Sequence, residues 1–120
     1  MKKNNKKFIE TDTSFAIEGL RIQKINNTLF VTTSMFQFNF SIKDLGIYTY
    51  SYYDDVQYIY LKYKNEPILP KNVIVFGLNL DTYSELYKSR IFAVDKDSLK
   101  KIISFLRKIV KDCFFSYDED

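Results

Sequence analysis

Histidine and tryptophan are absent from this 120-residue sequence, and cysteine occurs once, at Cys113. The lack of histidine removes the commonest general base, every histidine-based catalytic triad and every histidine metal ligand. A single cysteine excludes an internal disulfide and a CxxC motif. Cys113 falls on an apolar stripe, which predicts a buried structural thiol rather than a nucleophile. We therefore expect no enzymatic activity, no metal site and no cofactor.

Glycine and proline are also scarce. The three glycines, Gly19, Gly46 and Gly77, are isolated from one another, so the sequence has no loop of the kind that cradles phosphate groups. Pro67 and Pro70 mark a loop, because proline does not fit a central strand. No apolar run approaches about 18 residues, and no apolar segment follows the basic N-terminal residues. These absences predict a cytoplasmic protein without a membrane span.

Charge is nearly balanced, with a net charge of +3 that is too small to indicate nucleic acid as a partner. Lysines cluster at one end of the sequence and carboxylates at the other. We therefore predict a flexible basic lead-in at residues 1–13, a single α+β domain at residues 14–113 and an acidic tail at residues 114–120. The abundance of Lys, Asn, Ile, Phe and Tyr favours a low-GC genome, that of a bacterium, phage or plasmid.

Most of the chain alternates apolar and polar residues with the period of two that is typical of strands. Residues 15–25 and the segment MFQFNFSI at 35–42 are two such strands, and the second is expected to break at KDLG, where Gly46 is the permissive residue. Asn26 and Asn27 predict a two-residue turn. The pattern predicts about seven short antiparallel strands that form a small barrel or sandwich.

A helical period replaces the strand period near the C-terminus. Asp95 or Asp97 is the predicted N-cap of an amphipathic helix of about 14–17 residues that closes the strands. Its apolar stripe comprises Leu99, Ile102, Ile103, Leu106, Ile109, Val110 and Cys113. The opposite face is a candidate phosphate-binding surface made of Lys100, Lys101, Arg107, Lys108 and Lys111.

Two segments resemble parts of bacterial pleckstrin-homology-like (PH-like) domains. FSIKDLGIYTY, residues 40–50, is similar to a strand, short turn and strand of that family, and residues 89–109 are similar to its last strand, acidic cap and closing helix. The resemblance covers about residues 15–112 and implies the PH-like fold. Its lipid-headgroup site does not carry over, because Arg21 and Lys24 lack the second basic half of that site. Family members without the site are often protein-interaction modules.

Tyrosine is concentrated in the segment YTYSYYDDVQYIYLKYK, residues 48–64, which is predicted to be a hairpin with Asp54 and Asp55 at its tip. Because Ile59 and Leu61 are the most apolar pair, their face should be core, and Tyr58 and Tyr60 should point to solvent. If Tyr48, Tyr50 and Tyr52 share that outer face, five tyrosines form one patch; a register slip of one residue would separate them. The alternative interpretation is a set of stabilising cross-strand pairs on an exposed sheet.

These observations favour a non-enzymatic protein-binding module. The expected contacts are five tyrosines with one lysine at the rim: Tyr48, Tyr50, Tyr52, Tyr58, Tyr60 and Lys62. An alternative is a small phage- or plasmid-encoded inhibitor of a host defence system. A third hypothesis is a nucleic-acid binder that uses the basic helix face. A homodimer through the tyrosine face or an unpaired strand edge is also compatible with the sequence.

Overall fold

A computed structural model describes residues 8–53, 55–66, 73–78 and 90–116. This part of the chain is α+β, with ten strands in two sheets and one helix near the C-terminus. The chain divides into two compact units, residues 1–43 and 44–120. Within the described residues neither sheet closes into a barrel. No helix among them is long and apolar enough to cross a membrane.

The first unit holds a five-stranded antiparallel sheet in which each strand pairs with the next along the chain. Alternation places one face of the sheet in the core, where Phe15, Ile22, Leu29, Val31 and Phe40 are fully buried. The strands are β1 (Ile9–Glu10), β2 (Ser14–Ile17), β3 (Leu20–Ile25), β4 (Thr28–Thr33) and β5 (Gln37–Ser41).

Two turns of this unit show how sequence sets the local backbone. Asn26 connects β3 to β4 with a φ of 55°, which confirms the predicted turn, since asparagine tolerates the left-handed region. The predicted strand over residues 15–25 is interrupted between β2 and β3, where Gly19 has a φ of 82°. The prediction of one continuous strand there is wrong, because Gly19 permits a turn that a side chain would oppose.

The second unit holds a mixed five-stranded sheet in the order β10-β6-β7-β8-β9. β6 and β7 form the predicted hairpin, and β7 pairs antiparallel with β8. The two outer pairs, β10 with β6 and β8 with β9, are parallel, contrary to the expectation of antiparallel strands throughout. The strands are β6 (Leu45–Tyr52), β7 (Asp55–Tyr63), β8 (Ile74–Gly77), β9 (Arg90–Ala93) and β10 (Phe114–Ser116).

The predicted helix is confirmed as α1 (Lys96–Ile109). Asp95 is its N-cap, because its carboxylate accepts a hydrogen bond of 2.7 Å from the backbone N–H of Ser98. The apolar stripe of α1 is buried at Leu99, Ile102, Phe105 and Leu106. Cys113 does not lie on α1, contrary to the prediction, but in a short 3₁₀ turn, Lys111–Cys113, that follows it.

Folded structure extends past both predicted domain boundaries. β1 lies within residues 1–13, and β10 comprises the first residues of the predicted acidic tail. Instead of the expected seven strands, the described part of the chain holds ten. Gly46 also has a different role from the one predicted, because it lies inside β6 and the break before that strand is a 3₁₀ turn at Ile42–Asp44. The sandwich arrangement and the single domain stay predictions.

Candidate functional site

The register of the β6–β7 hairpin answers the question that the tyrosine-rich segment raised. Tyr48 pairs with Tyr60, and Tyr50 pairs with Tyr58, so these four side chains share one face of the sheet. Cross-strand pairs lie close enough for aromatic rings to touch. The ring centroids are 5.2 Å apart in the first pair and 5.1 Å in the second, and both pairs are stacked. The side chain of Tyr52 lies outside the described residues.

The tyrosine face extends across all five strands of the second sheet. One row of partners, a residue from each strand, runs Phe115, Tyr48, Tyr60, Val75 and Ile91. The ring of Phe115 stacks on Tyr48 with a centroid distance of 5.3 Å. We call the aromatic set of this face, Tyr48, Tyr50, Tyr58, Tyr60 and Phe115, the tyrosine layer.

Exposure falls along this row from the edge of the sheet to its centre. Phe115 is 40% exposed, Tyr48 is half-buried, and Tyr60 is 3% exposed. Tyr58 is 9% exposed and packs in a buried cluster with Tyr60 and Val75. The prediction that Tyr58 and Tyr60 point to solvent is therefore wrong. Both faces of β7 are buried, so the alternation of residues in this strand does not distinguish a core face from a solvent face.

Lys62 lies on the same face, and its ammonium group is committed to the fold. Its Nζ donates hydrogen bonds to the backbone oxygens of Tyr63, at 3.1 Å, and Glu66, at 2.7 Å. The same nitrogen lies 5.0 Å from the ring centroid of Tyr48. Burial lowers the pKa of Lys62, and the nearby carboxylate of Glu66 opposes that shift. The second cation of this face, Lys64, is exposed and lies 5.8 Å from the ring centroid of Phe115.

Gly46 explains how the ring of Tyr48 reaches its place. Gly46 is the cross-strand partner of Lys62 and precedes Tyr48 by two residues on the same face of β6. A methyl group built on Gly46 would lie 2.6 Å from both Cε1 and Oη of Tyr48. The ring of Tyr48 therefore lies directly across the glycine, and burial raises the pKa of its hydroxyl.

The basic residues predicted on the helix do not form a single face. Lys100 and Arg107 line a groove of about 420 Å³ between α1 and the start of β7. At 100° per residue, Lys101 and Lys108 lie about 100° around the helix from those two. The ammonium group of Lys101 pairs with the carboxylate of Asp97. Lys111, the fifth cation, lies beyond the end of α1 in the 3₁₀ turn.

We call this depression the α1 groove. Sequence reasoning missed Lys96, which also lines it and precedes Lys100 by one helical turn. The i, i+4 and i+11 spacing of Lys96, Lys100 and Arg107 is a signal that could have found the set. Lys96 contacts Asp55, at the start of β7, with 3.6 Å between Nζ and Oδ2.

The first unit offers little support for a lipid-headgroup site. Arg21 and Lys24 lie three residues apart on β3, so strand alternation directs them to opposite faces of the sheet. Their cross-strand partners on β4 are Thr32 and Leu29, neither of which is basic. The sequence lacks the second group of basic residues that such a site requires. The two basic side chains that are present also point to opposite faces of the sheet.

Comparison of the chain with protein-family models, with curated proteins and with solved structures finds no match. The resemblance to PH-like domains therefore stays a prediction. Among the described residues, no group of three or more His, Cys, Asp or Glu side chains is placed to hold a metal ion. The tyrosine layer and the α1 groove are the two candidate sites of the second unit.

Proposed function

We propose that this chain is a non-enzymatic protein-binding module and that its partner contacts the exposed half of the tyrosine layer. The main support for this proposal is that the exposure of the aromatic side chains decreases from the edge of the sheet to its centre. At the sheet edge, Phe115 is 40% exposed beside the half-buried Tyr48 and Tyr50, whereas Tyr58 and Tyr60, on the neighbouring strand β7, are buried. Tyrosine and phenylalanine are enriched at interfaces because they supply a large contact area for few rotatable bonds.

The exposed rings are held in place before any partner arrives. Tyr48 is stacked between Tyr60 and Phe115, and Lys62 lies over its ring. Ordering a free side chain on binding costs about 0.5–1.5 kcal/mol, and side chains that are already packed avoid much of that cost. Lys64 is an exposed cation at the rim of this surface, where charge affects the rate and specificity of association more than the affinity.

The one thiol of the chain supports the non-enzymatic part of the proposal. Cys113 is 4% exposed, and burial raises its pKa, an effect that Lys64 opposes and Asp112 reinforces. A thiol with a raised pKa stays protonated at neutral pH and is a poor nucleophile. Cys113 is thus suited to packing rather than to covalent chemistry.

For the fold we propose the PH-like class. The succession of strands, acidic cap and C-terminal helix supports it, since Asp95 caps α1 directly after β9. The parallel strand β10, which follows the helix and pairs with β6, departs from the expected order. An experimental structure of the full chain tests this assignment. A strand order that differs from the PH-like one would refute it.

The binding proposal is tested by affinity capture with matched surface variants. We expect Phe115→Ser and Tyr50→Ser to lose a partner that the unmodified chain captures from its native cell. The control is Met35→Ser, because Met35 is 86% exposed and lies in the other unit. The unfolding free energy in urea should change by less than about 1 kcal/mol for Met35→Ser, because that side chain is largely solvated. Phe115→Ser should cost about 1–2 kcal/mol, because the ring is only 40% exposed and stacks on Tyr48.

A second variant separates scaffold from contact surface. Tyr60→Ser removes a nearly fully buried aromatic side chain and should cost about 3–5 kcal/mol of unfolding free energy. Unchanged capture by Phe115→Ser and Tyr50→Ser, with the fold intact, would contradict the proposed contact surface. If the captured partner is a nuclease of a defence system, a loss of its activity on addition of this chain would support the alternative of an inhibitor.

A further inference from the structure

The α1 groove has chemistry that the tyrosine layer does not share. Its floor is aliphatic and is formed by Val56, Leu99 and Ile103. One wall carries the three cations Lys96, Lys100 and Arg107, and the hydroxyl of Ser104 lies between the last two along the helix. We infer that the α1 groove binds an acidic peptide segment that carries an aliphatic side chain.

The positive charge of the α1 groove favours an anionic ligand. Among the described residues that line the groove, Asp55 is the single carboxylate, against the three cations. The pair between Asp55 and Lys96 is exposed, with side-chain exposures of 57% and 56%. Exposed ion pairs are weak, so Lys96 can exchange Asp55 for a carboxylate of the ligand.

Arg107 is placed to receive a carboxylate at the far end of the groove. Its guanidinium carbon lies 4.7 Å from the ring centroid of Phe114, so the ring supports the planar group. The guanidinium fork can donate two parallel hydrogen bonds to a carboxylate. Lys101 is turned toward Asp97 and does not line the groove, which leaves Lys100 between the two end cations.

The dimensions suit an extended peptide. Eleven residues separate Lys96 from Arg107 on α1, a distance of about 16 Å at 1.5 Å per residue. A peptide in extended conformation covers that distance with about five residues, and alternate side chains point the same way. Two or three carboxylates can therefore meet the cations while an aliphatic side chain of the same peptide enters the floor.

Nucleic acid fits the groove less well. Its lining residues, as far as the structure describes them, include no aromatic side chain on which a base could stack. The aliphatic floor also offers no hydrogen bonds to base edges. An acidic peptide satisfies both the cationic wall and the apolar floor.

Fluorescence anisotropy with labelled pentapeptides tests this inference. The probes are Glu-Leu-Glu-Ile-Glu, its amide counterpart Gln-Leu-Gln-Ile-Gln, and Glu-Ala-Glu-Ala-Glu, with a single-stranded oligonucleotide as the fourth. We expect the first to bind best, the amide peptide to bind roughly tenfold more weakly, and affinity to fall as salt is added. The alanine peptide should bind severalfold more weakly, because it leaves the floor unfilled.

Variants of the full chain test whether the acidic peptide binds in the α1 groove. Lys100→Glu with Arg107→Glu should weaken binding of the acidic peptide roughly tenfold or more. Lys43→Glu with Lys111→Glu makes the same change of charge at exposed positions outside the groove and should leave the affinity nearly unchanged. Arg107→Lys keeps the charge and should retain most of the binding.

A full-length variant controls for binding of the chain's own C-terminal carboxylates in the groove. It carries amides at three positions: Asp118→Asn, Glu119→Gln and Asp120→Asn. All titrations are run on the unmodified chain and on this variant. A difference in affinity between the two would reveal competition of these carboxylates with the labelled peptide. Equal binding of the acidic and amide peptides would overturn the inference. So would equal loss in the two charge-reversal pairs, or tighter binding of the oligonucleotide than of any peptide.

Discussion

Replacing Gly46 with alanine should destabilise the second unit, although alanine normally suits a strand better than glycine does. The added methyl group would lie 2.6 Å from two atoms of Tyr48 and 2.8 Å from its Cζ, closer than carbon atoms approach one another. A tyrosine ring at a protein surface could rotate away. Here Tyr60 and Phe115 hold it from both sides, with ring centroids at 5.2 and 5.3 Å.

The magnitude follows from what the ring must give up. Each aromatic contact is worth about 0.5–1.5 kcal/mol, and the contact with the ammonium of Lys62 about 0.5–1 kcal/mol. Alanine recovers about 0.4–1 kcal/mol by restricting the unfolded chain. The φ of Gly46 is not in the left-handed region, so no backbone strain enters the balance. We expect Gly46→Ala to lower the unfolding free energy by about 1–3 kcal/mol in urea titrations.

A double-mutant cycle isolates the cause. In a Tyr48→Ala background the methyl group at position 46 meets no ring, so Gly46→Ala should be neutral or stabilising by up to about 1 kcal/mol. The coupling energy between the two positions should then be about 1–4 kcal/mol. If Gly46→Ala costs the same in both backgrounds, within about 0.5 kcal/mol, the ring of Tyr48 is not the obstacle and the reasoning fails.

Two further predictions concern α1 and the segment that follows it. Asp95→Ala should cost about 1 kcal/mol in urea unfolding, because the N–H of Ser98 loses its acceptor. Asp97→Ala removes an exposed charge pair and a carboxylate from the first turn of α1, and it should cost about 0.5 kcal/mol. Iodoacetamide should modify Cys113 more slowly in the folded than in the unfolded chain near the ordinary thiol pKa of about 8.5, since burial raises the folded pKa. Lys64→Gln should slow that reaction and Asp112→Asn should speed it; no change, or the opposite order, would contradict this account.

Stability should follow the same titration. The folded pKa of Cys113 is raised, so its contribution is fully present below the unfolded pKa and is lost as pH rises through the folded value. The hydroxyl of Tyr48, whose pKa is also raised, acts in the same direction at higher pH. The unfolding free energy should therefore lose the contribution of Cys113 above about pH 8.5 and that of Tyr48 only above about pH 10.

Local signals in the sequence predicted local structure well. Asparagine at position 26 indicated a turn because few other residues tolerate a φ of 55°, and an aspartate before a helical stripe indicated the cap at Asp95. Strand alternation also predicted that Tyr58 and Tyr60 share one face of β7, but their pairing with Tyr50 and Tyr48 depends on the register, which the sequence left open.

What the sequence left open depends on contacts between distant residues. The burial of Tyr60 comes with Val75 and Ile91, which reach it across two further strands, and alternation within the hairpin carries no information about them. The role of Gly46 could not be predicted, because it depends on where the ring of Tyr48 lies in the folded protein. β10 was missed because the apolar period of α1 passes through Cys113 without a visible break, although the adjacent Phe114 and Phe115 favour a strand.

The parallel pairing of β10 with β6 bears on how the chain folds as a ribosome makes it. Each strand of the first sheet pairs with the strand made just before or after it, so that sheet can form while later residues are still being added. β6 differs, because the strand that covers one of its sides begins only at Phe114, after the hairpin and α1 have been synthesised. Until then Ile47, Tyr48 and Thr49 lack these partners and present an open backbone edge, on which another chain can pair.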